Sequence, residues 1–152
     1  MAESWKSADQ TREEVKEILA LLLARARKTV RMSTGLTTDL LHDLRPQVEQ
    51  ALARVETFNL LLDKDVERSR LESKYSWLDG YRNVHIHAAK EPVQHITLID
   101  DTDFRVEALH KNPPDRSWVG RENLTVLGDP VAGAVVAMRF NKVFDEGDVI
   151  KT

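Results

Sequence analysis

Gln94-His95-Ile96-Thr97-Leu98-Ile99-Asp100-Asp101, followed closely by Phe104-Arg105-Val106-Glu107-Ala108-Leu109, is the stretch that decides how this chain folds. Both runs are short and rich in β-branched and apolar residues, which reads as two strands. The acids Asp100, Asp101 and Asp103 between them read as a turn, because aspartate tolerates unusual backbone and hydrogen-bonds to it locally. Beyond Asn112-Pro113-Pro114, the run from Trp118 to Val126 reads as a further strand, and Asp129-Pro130 opens a helix. An aspartate there accepts free backbone N–H groups, and proline suits the first turn. Ala132, Val136, Phe140, Val143 and Phe144 give that helix one apolar stripe before Gly147.

Working back toward the N-terminus, Thr11 and Glu14 have capping-box spacing, and Val15, Ile18, Leu19, Leu22 and Ala26 recur at helical intervals, predicting a helix over about 11–28. Thr29 to Ser33 reads as a strand that ends at the turn residues Thr34-Gly35. Leu41, Leu44, Val48, Leu52 and Val55 keep one apolar face, with Pro46 bending the helix or restarting it. Glu56 to Asp63 reads as a buried strand, with Asp63-Lys64-Asp65 capping a peripheral helix that ends near Asp79-Gly80. Asn83 to Ala88 is another strand. Alternation of helix and strand in the first half calls for right-handed crossovers, and the short later links call for antiparallel neighbours. The expected fold is therefore α/β, with a mixed, largely parallel central sheet and helices on both faces. It forms a single domain over 1–152, with residues 1–10 as a disordered N-terminal segment.

Composition narrows the function classes. Of 152 residues, 41% are hydrophobic and 31% charged, and the net charge of −3 argues against a protein that coats nucleic acid. No cysteine is present, so thiolate chemistry and disulfides play no part. The apolar run Ile18 to Ala24 is too short to cross a bilayer, and the expected location is the cytoplasm.

A histidine entering an apolar strand that ends in acids, followed by Gly120-Arg121-Glu122-Asn123 and a closing helix containing Phe140, resembles the second half of a phospholipase D-like domain. The signature of that superfamily is His-x-Lys-x4-Asp and then Gly-Ser-x-Asn, with the His and Lys side chains on one side of a strand. The resemblance implies a phosphohistidine intermediate, with Lys and Asn on the phosphate oxygens and a second copy of the motif supplying the acid. With His95 in the histidine position, Thr97 stands where lysine belongs and Thr102 where aspartate belongs. Setting Asp101 in the aspartate position places Gln94 and Ile96 at the other two. Gly120-Arg121-Glu122-Asn123 keeps the glycine and asparagine but has arginine in place of serine.

A threonine hydroxyl cannot offset phosphate charge as lysine does, and even one neutral electrostatic donor contributes about 2.7–4 kcal/mol to such catalysis. The expected function is a non-catalytic, regulatory phospholipase D-like module for ligand binding, partner binding or dimerisation. Its partners would be a small anionic ligand or a protein, with a homodimer expected and no cofactor or metal. His95 is the candidate catalytic residue should chemistry survive. Ser33, Thr34, Thr97, Arg121 and Asn123 are the candidate ligand contacts, at converging strand ends. The alternative is a divergent, metal-independent phosphodiesterase or nuclease acting as a homodimer, with Arg121 or Lys111 replacing the lysine. A third reading has Arg25, Lys28 and Arg31 touching acidic lipid headgroups, although this run also suits the solvated C-terminal end of a helix. His85 and His87 share a strand face and could join His95 on a metal, but they read first as polar residues on a wet face.

Overall fold

A computed structural model describes residues 2–8, 10–109, 119–120 and 122–152. In chain order the elements are β1 (Glu3–Ser7), β2 (Gln10–Thr11), α1 (Arg12–Arg25), β3 (Thr29–Thr34), α2 (Leu40–Asp43), α3 (Arg45–Leu52), β4 (Thr57–Leu62) and α4 (Arg68–Lys74). They continue with a short 3-10 helix (Ser76–Gly80), β5 (Val84–Ala88), β6 (Ile96–Ile99), β7 (Asp103–Glu107), β8 (Val119–Gly120), β9 (Asn123–Leu127), α5 (Pro130–Glu146) and β10 (Asp148–Lys151). Local chemistry sets several boundaries. Thr11 accepts the Glu14 N–H at the start of α1, and Asp129 accepts the N–H groups of Val131 and Ala132 at the start of α5. Pro46 restarts the helix rather than bending it: α2 ends at Asp43, and Pro46 occupies the first turn of α3, where its missing N–H costs nothing.

Among the described residues the main sheet has eight strands in the order β1-β9-β7-β6-β3-β4-β5-β10. It is the mixed α/β sheet that the sequence predicts, and its parallel part is confined to β3, β4 and β5. Helical crossovers join those three strands, whereas β6 pairs antiparallel with β3 and β7, and β7 with β9; the short turn from Asp100 to Thr102 leaves room only for a hairpin between β6 and β7. Glu3–Ser7, expected to lie within a disordered N-terminal segment, is a strand. Glu3–Ser7 pairs along the whole of β9, from Glu3 opposite Leu127 to Ser7 opposite Asn123. Four of these five residues stay exposed, so no apolar alternation betrays the strand, and the open edge of β9 supplies its backbone partners. β10 covers the other edge in the same way by pairing with β5.

The two faces of the sheet are filled from different helices. Val15, Leu22 and Leu23 of α1 and Val48 and Leu52 of α3 pack with Val30, Met32, Phe58 and Leu60. On the other face Phe140 and Phe144 of α5 meet Leu61 and Val93, and Ala137 meets Leu98, Phe104 and Val126. His87 lies on this second face, stacked on Phe144 at 3.7 Å between ring centroids, with Nδ1 at 2.6 Å from the Phe144 carbonyl oxygen. It is therefore packed rather than set on a wet face.

The hairpin turn between β6 and β7 is tied to the end of α1 and the start of β3. Asp100 and Asp101 both adopt left-handed backbone, with φ of 52° and 57°. The Asp100 carboxylate accepts the backbone N–H groups of Arg27, Lys28 and Thr29 at 2.9, 2.7 and 2.9 Å, fastening the turn to the exit of α1. Arg25 pairs with Asp103 at 2.9 Å, and Arg31 pairs with Asp101. Arg25 and Arg31 thus each pair with an acid of the turn, while the Arg25 side chain stays 45% exposed and Arg27 and Lys28 face solvent. Asp100→Ala strips three donors of their acceptor at once and is expected to lower stability by about 1–3 kcal/mol. Chemical denaturation checks this, and a loss near zero would show that water replaces the carboxylate.

Candidate functional site

The C-terminal ends of β3 and β4 open beside the start of β6, and a cavity of about 60 Å³ lies there, between the sheet and α1. Ser33, Thr34, His95 and Thr97 line it, together with Arg105 and Glu107. Four of the six candidate residues therefore converge. Asn123 lies in the same cross-strand row but not on the cavity wall: Glu107 donates its N–H to the His95 carbonyl and stands directly opposite Asn123. The Asn123 amide donates to the Ser7 carbonyl at 3.3 Å, tying the row to the edge strand β1. Arg121, like Lys111 and Trp118, lies outside the described residues.

Ser33 serves a structural purpose. Its hydroxyl donates to the Gln94 carbonyl at 2.6 Å and accepts the Ile96 N–H at 2.8 Å, so it extends the β3–β6 ladder by one side-chain rung. The loop after β3 that closes the cavity is held by two arginines. Arg70 donates to the carbonyls of Leu36 and Thr37 and pairs with the buried Asp39, while Arg12 donates to the Thr38 carbonyl and pairs with Asp43.

His95 sits between two buried carboxylates. Its Nε2 is 3.3 Å from Asp63 and its Nδ1 is 3.6 Å from Glu107. Burial opposes a charge on the ring, but hydrogen bonding to Asp63 and Glu107 outweighs it and lifts the His95 pKa to about 9. Burial likewise opposes the charge of Asp63, and its hydrogen bond with His95 holds it below the usual carboxylate range. Asp63 therefore does not cap the following helix, which begins only at Arg68. Glu107 also takes Arg105 at 2.7 Å, and Arg105 donates to the side chain of Gln10 from β2 at 2.9 Å. The position where the superfamily motif has lysine holds Thr97, directly opposite Arg105.

Among the described residues the network contains two cations and two anions, each facing an opposite partner. The cationic side chains on the cavity wall are already matched by carboxylates, which leaves the anionic ligand expected from the sequence without a dedicated counter-charge among the described residues. A carboxylate near each ring nitrogen favours the protonated, hydrogen-bond-donating form of the imidazole. The three histidines of the metal reading also separate, with His87 on Phe144 and His95 in this network. Among the described residues no group of three or more histidine, aspartate or glutamate side chains is placed to hold an ion.

A histidine whose pKa is higher in the folded than in the unfolded chain stabilises the fold fully below about 6.5, and loses that contribution as pH rises through about 9. Asp63, with its lowered pKa, titrates on the acid side of this window. Melting temperature is therefore expected to fall between these two pH values in the wild type and to change less in His95→Gln; identical profiles would show that His95 carries no linked proton.

No family model matches the chain, and no curated protein sequence matches it either. Solved structures do. Nuc from Salmonella typhimurium, a phospholipase D family member, superposes with a TM-score of 0.75 at 9% identity, covering 100% of both chains. The fold is that of a phospholipase D-like domain. NucT from Helicobacter pylori has a TM-score of 0.68 at 16% identity, covering 97% of this chain and 100% of its own. TrmBL2, an archaeal chromatin protein with a novel mode of DNA binding, has a TM-score of 0.71 at 15% identity over 97% of this chain and 54% of its own. The phospholipase D-like chain thus spans about half the length of TrmBL2. No helix among the described residues is long and apolar enough to cross a membrane.

Sequence reasoning missed Asp63, Arg105 and Glu107. A signal for the last two was present in the hairpin. A turn centred on Asp101 pairs Ile99 with Asp103 and hence Thr97 with Arg105, which brings Glu107 across from His95. Asp63 had no local signal, because its partner lies 32 residues away.

Proposed function

We propose that this chain is a non-catalytic phospholipase D-like module that recognises a small polar ligand or a protein partner at the His95 cleft, and that it serves in regulation as a homodimer in the cytoplasm. The observation that carries this reading is His95 held between Asp63 and Glu107, with Thr97 in place of the lysine. A nucleophilic histidine needs one free, unprotonated nitrogen, and a phosphoryl group needs an uncommitted cation. Arg105 does not fill that need, because Glu107 and Gln10 already occupy it. The fold shared with TrmBL2, a chromatin protein that binds DNA, supports a binding role for such a domain. Self-association is supported by α5, whose Val131, Val135 and Met138 are exposed at spacings of one helical turn.

The second reading, a divergent phosphodiesterase, is favoured by one feature: a carboxylate behind a histidine is also how a nucleophile is oriented. Hydrolysis of bis-p-nitrophenyl phosphate, with chelator present, separates the two. Equal, background rates are expected for the wild type and His95→Ala, whereas turnover that disappears in His95→Ala would replace the first reading with the second. For self-association, Met138→Glu is expected to shift sedimentation toward monomer, and a wild type that is already monomeric removes the dimer from the proposal.

A further inference from the structure

On the face of the sheet opposite the His95 cleft, a second cavity of about 480 Å³ lies between α5 and the strands that carry Leu61, Ile96 and Val106. That volume falls within the roughly 300–1,000 Å³ of small-molecule sites. Leu61 forms its floor, Ile96 and Val106 one wall, and Val136, Phe140 and Val143 of α5 the other. The register explains the grouping: Ile96 and Val106 are direct partners across β6 and β7, and positions 136, 140 and 143 repeat at helical spacing. Leu109 at the edge is 58% exposed.

The polar groups are few and unevenly placed. Arg139 lies on the same face of α5 as Val136 and Val143 and is the sole charged lining residue among those described. Its side chain is exposed and makes no ion pair among the described residues. Ser33 and Gln94 are neutral, and the Ser33 hydroxyl is already engaged by the backbone of Gln94 and Ile96. No carboxylate lines this cavity among the described residues, in contrast to the charge-balanced cleft on the other face.

We propose that this cavity is a binding site for an amphipathic monocarboxylate, with its hydrocarbon body against Phe140, Val106 and Leu61 and its carboxylate accepting from the Arg139 guanidinium. An apolar chamber with one cation at its mouth that no described carboxylate pairs with selects for that combination. Burial of the chain supplies affinity, and the charge-assisted hydrogen bond sets orientation and excludes amines.

The test is calorimetric titration of the whole chain with decanoate, with decan-1-ol as the uncharged probe. Decanoate is expected to bind saturably, one per chain, and Arg139→Ala to weaken it about tenfold, the size of one charge-assisted hydrogen bond. Decan-1-ol is expected to bind the wild type as weakly as decanoate binds Arg139→Ala. Val136→Trp, which fills the chamber, is expected to abolish both. Arg139 is exposed, so its substitution leaves a folded protein even if Val136→Trp does not. Absence of saturable decanoate binding, or an affinity unchanged in Arg139→Ala, overturns the proposal. So does a wild-type dimer that Val136→Trp dissociates, which would assign the face to a second copy of the chain.

Discussion

Gly133→Ala is expected to lower stability by at least about 2 kcal/mol. A Cβ at this position would lie 1.7 Å from the Asp101 carbonyl oxygen, 2.4 Å from its carbon and 2.9 Å from the Thr102 nitrogen. All three are backbone atoms, so no side chain can swing aside. The turn cannot retreat either, because Asp100 is fastened to the N–H groups of Arg27, Lys28 and Thr29. Nor can the helix retreat easily, since Asp129 donates its N–H to the Thr102 carbonyl at 2.9 Å and the Asp129 side chain caps α5. Overpacking typically costs about 1–3 kcal/mol, and a backbone clash sits at the upper end or beyond. The gain of about 1 kcal/mol in helix propensity from glycine to alanine offsets only part of it. Denaturant unfolding checks the figure, with the exposed Ala134→Gly as a control expected to lose about 1 kcal/mol. A Gly133→Ala protein as stable as the wild type would mean that α5 docks elsewhere on the sheet.

Glu107→Ala is the second large effect, at about 3–5 kcal/mol, because removing one partner of a buried ion pair leaves the other charge uncompensated. The Arg105 and Glu107 side chains are 4% and 3% exposed. Among the described residues Arg105 would keep the neutral Gln10 side chain and His95 would keep Asp63. The expected signature goes beyond lower stability. The His95 pKa, read by NMR, should fall in Glu107→Ala and also in Asp63→Asn, since each removes one carboxylate that raises it. Glu107→Gln keeps the shape and some hydrogen bonding and should lie between the extremes. If the His95 pKa moved in neither variant, the pairing of His95 with the two carboxylates would be wrong, and with it the reading of the cleft as unreactive.

These two sites illustrate where sequence reasoning reached and where it stopped. The strands and helices carried their own signals. Thr11 and Asp129 announced the helix starts, Pro46 the restart, and Asp100-Asp101 the turn. Each is a local property, fixed by neighbours within a few positions. The parallel block of β3, β4 and β5 followed from the alternation of helix and strand.

Non-local pairing was beyond reach. Glu3–Ser7 has no apolar pattern and becomes a strand only because β9 offers an open edge, and β10 becomes a strand only because β5 does. The convergence of Ser33, Thr34, His95 and Thr97 was legible, because strand ends at one side of a sheet must meet. The electrostatic character of that site was not. Arg25 and Arg31 read as the solvated end of a helix, and only the hairpin turn delivered Asp103 and Asp101 to them. His95 read as a candidate nucleophile until Asp63 and Glu107 arrived from two other strands. The sequence by itself determined the elements and the missing lysine, since both depend on residue identity and short-range spacing. Only the tertiary structure decided which charges are matched, because burial and partners a few ångströms away set the protonation of a side chain, and neither is written next to it in the chain.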